Sequence, residues 1–241
     1  MKILSLETST KTFSIAVSSQ EKILAYRNIR LKKVLSSSII PVIEKILKGL
    51  RMELRDLDAF AIALGPGSFT SLRVGLSTVK ALAFASGKPV IGVPSPDVLA
   101  RNVAGQDCDQ VCTISDARRN LVYACLFERA GRAFVRISDY QLTELSRWLD
   151  HVKGRTIFIG DGVGLHREEI LKAYAEAGQG TGHGCQALFA DEKFWYPQAR
   201  ELAKIAYQRF VHQRFDDPAR LVPLYLYSAD CQITTTPSAI K

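Results

Sequence analysis

The sequence predicts an α/β protein of two lobes, each built from a β-β-β-α-β-α unit. Two observations indicate this fold class: strand-like and helix-like segments recur in the same order in the two halves of the chain, and Pro94-Ser95-Pro96 separates the halves. The chain has 241 residues, of which 47% are hydrophobic and 23% charged, so it can bury a core without disulfides or a metal. We expect lobes over residues 1–97 and 98–190, and a polar tail over 229–241.

The first half opens with segments typical of strands. Residues 3–7 form an apolar run, and residues 12–18 alternate apolar with small or polar side chains, which is the period of a half-buried strand. Apolar side chains later recur at helical spacing. The predicted order is strands over 3–7, 12–18 and 22–30, a helix over 34–50, a strand over 58–64, a helix over 70–86 and a strand over 90–93.

The second half repeats this order. Strands are predicted over 111–116, 121–128 and 133–138, followed by a helix over 143–151, a strand over 156–160 and a helix over 165–177. A further amphipathic helix over 198–215 is expected to pack back on the first lobe. Such tandem units predict a cleft between the lobes, where strand-to-helix loops converge.

Charge leaves two interpretations open. The net charge of +8 arises from 32 basic and 24 acidic residues, and it indicates either a solubilising surface or contact with nucleic-acid phosphates. Neither a signal peptide nor a membrane span is predicted, so we expect a cytoplasmic protein. The five cysteines lack a CxxC pair and are expected to be mostly buried thiols. The basic clusters are Lys22, Arg27, Arg30, Lys32 and Lys33, then Arg118-Arg119, then Arg129, Arg132 and Arg136.

Three loops could hold a phosphate. Glu7-Thr8-Ser9-Thr10 joins the first two strands, and its amides and hydroxyls could bind an anion or form an ordinary turn. Gly65-Pro66-Gly67-Ser68 precedes a helix whose first amides attract anions. Gly160-Asp161-Gly162 ends the matching strand of the second half. Together, at equivalent places in a duplicated frame, the loops favour an actin-like nucleotide cleft.

The predicted cleft lacks the residues that an enzyme of this kind would be expected to use for catalysis. Glu7 stands where actin-like ATPases and sugar kinases usually have Asp, and no second acid is clearly placed to activate water, so the cleft is predicted to be degenerate. The four histidines are too far apart in sequence to place two imidazoles on one helical face, which argues against a metal site. Ser68 lacks the flanking glycine of a nucleophile elbow.

Both helices of the first half carry broad apolar faces. Such helices either lie in their own core or share a face with another protein, and the pattern leaves both options open. A homodimer that covers the same faces is a further option. The residues expected at a partner interface are Val34, Ile39, Val42, Ile46, Leu72, Gly75, Leu76, Val79 and Ala83.

The sequence resembles the bacterial TsaB (YeaZ-like) family. The most specific block runs from Gly65-Pro66-Gly67-Ser68-Phe69-Thr70 through the helix that follows. The opening residues 3–10, Asp116-Ala117-Arg118-Arg119, Gly160-Asp161-Gly162 and Pro223-Leu224-Tyr225-Leu226 extend the resemblance over most of the chain.

This resemblance implies the actin-like fold of sugar kinases and heat-shock chaperones (the ASKHA class, with ribonuclease H-like lobes). It implies a non-catalytic accessory subunit that binds and activates a TsaD-like transferase through its two N-terminal-lobe helices. That enzyme forms threonylcarbamoyladenosine in tRNA, and a TsaE-like ATPase joins the assembly. No metal is implied, and ATP or ADP is the cofactor to expect if the degenerate cleft binds one.

Two alternative functions remain at this point. An actin-like ATPase or small-molecule kinase is suggested by the three loops. A peptidase is suggested only by likeness to metal-binding relatives, and the missing histidine pair argues against it.

Overall fold

The computed structural model describes residues 1–30, 35–131, 133–178 and 186–227. Val34, Lys32, Lys33, Arg132, the segment His183-Gly184-Cys185 and the tail 229–241 lie outside the described residues. The strands are β1 (Lys2–Glu7), β2 (Thr12–Ser19), β3 (Lys22–Arg30), β4 (Ala59–Ala63), β5 (Val90–Val93), β6 (Gln110–Arg118), β7 (Leu121–Ala130), β8 (Ala133–Arg136), β9 (Gln141–Thr143), β10 (Arg155–Ile159) and β11 (Gln186–Phe189). The α-helices are α1 (Leu35–Gly49), α2 (Phe69–Ser86), α3 (Ser95–Arg101), α4 (Leu145–Leu149), α5 (Val163–Gly178) and α6 (Ala199–Val211).

The two sheets share one topology. The first has the strand order β3-β2-β1-β4-β5, and the second has the order β8-β7-β6-β10-β11, with the short β9 also paired to β7. In each sheet the central strand is antiparallel to its hairpin partner and parallel to the strand on its other side. The predicted duplication is therefore confirmed, with β9 as an element that the sequence pattern missed.

Helices cover both faces of each sheet. Helices α1 and α2 pack on one face of the first sheet, where their apolar side chains form a core with β1, β2 and β4. Helix α6 packs on the opposite face together with part of α3. In the second lobe, α4 and α5 cover one face and α3 the other. Thus α3 packs mainly on the second sheet, while α6 covers this face of the first sheet.

Helix α6 is shorter than the predicted helix over 198–215 because it ends at Val211. Buried Leu202 and Ala206 contact the first sheet, and the backbone amide of Ala199 donates to the Ser14 hydroxyl at 2.8 Å. Since Ser14 lies on β2, this bond fixes the start of α6 against the first lobe.

Candidate functional site

The loops of the predicted cleft lie at the carboxyl ends of β1, β4 and β10. Strands β1 and β4 are parallel neighbours, so the loops that follow them meet at one edge of the first sheet. The loop after β10 lies across the cleft in the second lobe. Lys11 of the β1–β2 loop lies within electrostatic range of Asp161 in the β10–α5 loop: burial raises the pKa of Asp161, and the positive charge of Lys11 opposes this rise. The structure therefore brings the three predicted loops together.

Glu7 is fully buried at the end of β1. Its Oε1 accepts from the Ser9 amide at 2.5 Å, and its Oε2 accepts from the Ser95 hydroxyl at 3.3 Å. Burial removes water from the carboxylate and raises the pKa of Glu7 from 4.5 to about 7, although these hydrogen bonds oppose the shift. Burial therefore favours the protonated form of the Glu7 carboxyl.

Ser95 joins Glu7 to the glycine-rich loop. The Ser95 hydroxyl accepts from the Gly65 amide at 3.2 Å, and the Ser95 amide donates to the Gly65 carbonyl at 2.8 Å. The peptide bond between Gly65 and Pro66 is cis. Sequence reasoning missed Ser95, because 88 residues separate it from Glu7; a serine between two prolines gives no signal of a buried contact.

The two first-lobe loops are in direct contact. A Cβ on Gly67 would lie 2.1 Å from the Ser9 carbonyl oxygen, and the Ser68 amide donates to this same oxygen at 2.7 Å. Gly75 packs equally closely on Thr8, since a Cβ there would lie 2.3 Å from the Thr8 hydroxyl oxygen. A phosphate between these loops would require them to separate. The two loops therefore leave no gap for a phosphate between Ser9 and Gly67.

The second-lobe loop packs on its own sheet. Gly160 has a φ of 123°, and a Cβ there would lie 2.0 Å from the Ile114 carbonyl oxygen. The Gly162 amide donates to the same oxygen at 3.2 Å. Asp161 accepts from the Asp116 amide at 3.1 Å, and burial is the main cause of its raised pKa. Asp161 thus fastens the β10–α5 loop to the end of β6.

The structure buries most of the residues predicted at the partner interface. Six of them are at most 7% exposed, Gly75 is buried and Val42 is half-buried; the six are Ile39, Ile46, Leu72, Leu76, Val79 and Ala83. Helices α1 and α2 lie side by side on the first sheet, and their apolar side chains fill its core. In this structure the seven buried residues are covered by the protein's own core.

A different surface of the two helices carries exposed apolar groups. Phe84 is 92% exposed on α2, and Ile40 is 41% exposed on α1. On α2, the exposed positions Ser77, Ala81 and Ala85 follow at helical spacing, which places them on the same side as Phe84. We call these five residues the outer surface of α1 and α2.

Metal-binding clusters and membrane-spanning helices are both absent from the described residues. Among the described residues, no three His, Cys, Asp or Glu side chains lie close enough together to form a metal-ligand set. Within that same part of the chain, the helices are all too short or too polar for a membrane crossing. The described cysteines Cys108, Cys112 and Cys125 are buried free thiols.

Comparison with known proteins gives consistent matches. The family described as "TsaD: tRNA N6-adenosine threonylcarbamoyltransferase" matches residues 30–215. The Bacillus subtilis protein named "tRNA threonylcarbamoyladenosine biosynthesis protein TsaB" is 29% identical over 239 residues, which cover 96% of each chain. A Thermodesulfovibrio yellowstonii tRNA N6-adenosine threonylcarbamoyltransferase is 30% identical over 173 residues, which cover 64% of this chain but 49% of that protein.

Solved structures show the same fold. The structure titled "YeaZ from Pseudomonas aeruginosa" has a TM-score of 0.76 at 23% identity and covers 93% of this chain and 99% of that chain. A ROK hexokinase from Thermus thermophilus has a TM-score of 0.53 at 12% identity, with 88% and 100% covered. The predicted actin-like fold is confirmed. With the family match over most of its length, this chain belongs to the TsaD family, in its TsaB (YeaZ) branch.

Proposed function

We propose that this chain is a non-catalytic accessory subunit in the formation of threonylcarbamoyladenosine in tRNA, and that it binds and activates a TsaD-like transferase. The observation that carries the proposal is the extent of the matches. The similarity covers 96% of a relative named for this biosynthesis but 49% of a relative named as the transferase. The chain therefore matches the smaller protein as a whole and the enzyme only in part.

The geometry of the cleft supports a non-catalytic role. Ser9 and Gly67 are in contact, and the Ser68 amide near the start of α2, which could otherwise bind an anion, already donates to the Ser9 carbonyl. Glu7 is fully buried and accepts hydrogen bonds from Ser9 and Ser95. A carboxyl without solvent exposure is poorly placed to activate water.

The outer surface of α1 and α2 is the proposed contact with the transferase. A phenylalanine that is 92% exposed is unusual on a monomer, and its neighbours on α2 are small. Small side chains let another helix approach closely while Phe84 inserts between its side chains. A TsaE-like ATPase and tRNA complete the proposed assembly, and without the transferase a homodimer would cover the same surface.

Co-purification with a TsaD-like subunit tests the interface. Phe84→Glu should reduce pairing at least tenfold, because a charged side chain would replace a buried aromatic contact. Leu165→Glu is the matched control: Leu165 is 66% exposed on α5 of the second lobe, and its substitution should leave pairing unchanged. A Phe84→Glu variant that is folded and pairs normally would refute this interface.

An ATPase or kinase is the competing function, and the likeness in fold to a hexokinase is its specific support. Calorimetry with magnesium-ATP separates the two functions. The accessory role predicts no nucleotide binding at micromolar concentration and no phosphate release by the isolated chain. Tight binding with sustained release would instead favour an enzyme.

A further inference from the structure

An exposed cluster of rings lies at the start of α2. Phe69 and Tyr225 have ring centroids 5.3 Å apart, and they are 49% and 43% exposed. The guanidinium of Arg73 lies 3.8 Å from the Phe69 centroid, and its Nε donates to the Tyr225 hydroxyl at 3.0 Å. We call these three residues the aromatic platform. The Arg73 guanidinium covers one face of the Phe69 ring, and the platform exposes the remaining surface of the two rings together with this positive charge.

A second unusual feature is the turn between β6 and β7. Arg118, Arg119 and Asn120 have φ angles of 65°, 52° and 63° and are exposed. Arg119 and Asn120 occupy the central positions of a tight hairpin closed by the pair Arg118 and Leu121. Such turns favour Gly or Asn, since a long side chain is strained at positive φ. Two arginines are thus held where glycine would fit with less strain.

Neighbouring groups hold this turn in place. The Arg118 amide donates to the Asp116 carboxylate at 2.7 Å, and Asp161 accepts from the Asp116 amide at 3.1 Å. The Tyr227 hydroxyl donates to the Ala117 carbonyl at 2.6 Å. The surroundings therefore impose the strained backbone, which is the usual situation at functional sites.

The C-terminal segment places the platform beside the turn. The Leu224 amide donates to the Leu64 carbonyl, Tyr225 belongs to the platform, and Tyr227 binds the turn. Two residues of chain span at most about 7 Å between the Cα atoms of Tyr225 and Tyr227. The C-terminal segment therefore connects the platform to the turn that carries the two arginines, and we call the platform and the turn together the platform–turn surface.

We propose that this surface binds unpaired RNA, with a base stacked on Phe69 and Tyr225 and with Arg118 and Arg119 at the neighbouring phosphates. Aromatic rings and guanidinium planes are the groups that stack on splayed-out bases, and arginines bind phosphates. The net charge of +8 complements a polyanion. This inference rests on the proposed function, in which tRNA joins the assembly, and deepens it by assigning to this chain its own contact with RNA.

The test compares an RNA hairpin that has an unpaired loop with a blunt RNA duplex of the same composition. Binding to the full chain is measured by fluorescence anisotropy over a range of salt concentrations. The hairpin should bind more tightly. Phe69→Ala and Tyr225→Ala should each weaken hairpin binding about tenfold, with duplex binding unchanged. Tyr225→Phe retains the ring and should bind as the wild type does.

The arginines have their own variant and control. The double variant Arg118→Gly/Arg119→Gly should weaken binding to both RNAs and reduce the salt slope for the hairpin by about 1.4, or 0.7 for each lost phosphate contact. Arg51→Gly removes one exposed arginine with a φ of 53° just after α1, and it should not change the slope.

Three results would overturn the inference. Equal affinity for hairpin and duplex would contradict the stacking of a base on the platform. An unchanged salt slope in the double variant would contradict the phosphate contacts of Arg118 and Arg119. If Phe69→Ala and Tyr225→Ala bind the hairpin with wild-type affinity, the platform does not bind RNA and only holds the C-terminal segment in place. Thermal unfolding of each variant confirms that it is folded, and unchanged pairing with the transferase separates this result from a failure of the proposed function.

Discussion

The hairpin loops β1–β2 and β6–β7 hold the same place in their lobes but have opposite character. The first, over residues 8–11, is largely buried: Thr8 packs on Gly75 and Ser9 on Gly67. The second, over residues 117–120, projects Arg118 and Arg119 into solvent. The two loops differ because the glycine-rich loop of each lobe packs on a different part of its hairpin. In the first lobe the glycine loop covers the hairpin, whereas in the second it packs on Ile114 within the strand.

The two halves of a duplicated fold can therefore differ through single close contacts. In the first lobe, the contact between Gly67 and Ser9 buries the start of the β1–β2 loop. In the second, it leaves the hairpin accessible while Asp116 and Asp161 fix its base. We expect three sets of variants to test this division.

The largest effect is expected when the close contacts are broken. Gly67→Ala in the first lobe and Gly160→Ala in the second each place a Cβ within about 2 Å of a carbonyl oxygen, so the free energy of unfolding should fall by about 4 kcal/mol from overpacking and backbone strain. Urea unfolding followed by circular dichroism measures the loss. Gly49→Ala is the control, because no atom lies within 4 Å of the added Cβ, and it should change stability by under about 1 kcal/mol. Equal stability in all three variants would show that the loop contacts do not determine the fold.

The second effect concerns the buried carboxyl of the first lobe. The folded state raises the pKa of Glu7 from 4.5 to about 7, so its contribution to stability is complete below pH 4.5 and is lost as the pH rises through 7. The loss amounts to about 3 kcal/mol. Glu7→Gln mimics the protonated acid, and the variant should become more stable than the wild type by this amount at pH 8 while matching it at pH 4.

Unfolding in urea at several pH values measures this difference. Glu44→Gln removes an exposed carboxylate from α1 and should leave the pH profile of the wild type unchanged. A Glu7→Gln profile parallel to that of the wild type would contradict a pKa near 7 for Glu7.

The smallest effect is expected at the arginine turn of the second lobe. Arg118→Gly and Arg119→Gly should each raise the free energy of unfolding by up to about 1 kcal/mol, since glycine accepts positive φ without steric strain. Arg51→Gly should show a similar gain, because Arg51 has the same backbone conformation. Stability that rises while RNA binding falls would identify the arginines as functional. A loss of stability in the turn variants alone would show that these side chains support the fold.

Much of the architecture followed from local patterns. The bounds of β3 and β5 agree with the predicted strands, and α2 begins one residue earlier than predicted. The glycine loops were also found from sequence, since Gly65, Gly67 and Gly160 mark turns after apolar strands. Periodicity and turn chemistry are local properties, so these elements needed no knowledge of distant residues.

The burial of the apolar residues of α1 and α2 could not be predicted in the same way. An apolar helical face indicates that something covers it, but the pattern does not say whether the cover is the protein's own sheet or a partner. Leu76 and Val79 are covered by the first sheet. Phe84, which is more exposed than either, lies on the opposite side and belonged to no predicted site.

The sequence by itself determined the order of the elements, the duplicated unit, the basic charge and the loops that meet at the cleft, because each depends on residues close together in the chain. The burial of Leu76 and Val79 under the first sheet, the hydrogen bond from Ser95 to Glu7 and the contact of Tyr225 with Phe69 became visible only in the tertiary structure. These contacts join residues that lie far apart in sequence. Burial and close approach are properties of the packed chain, and no local pattern encodes them.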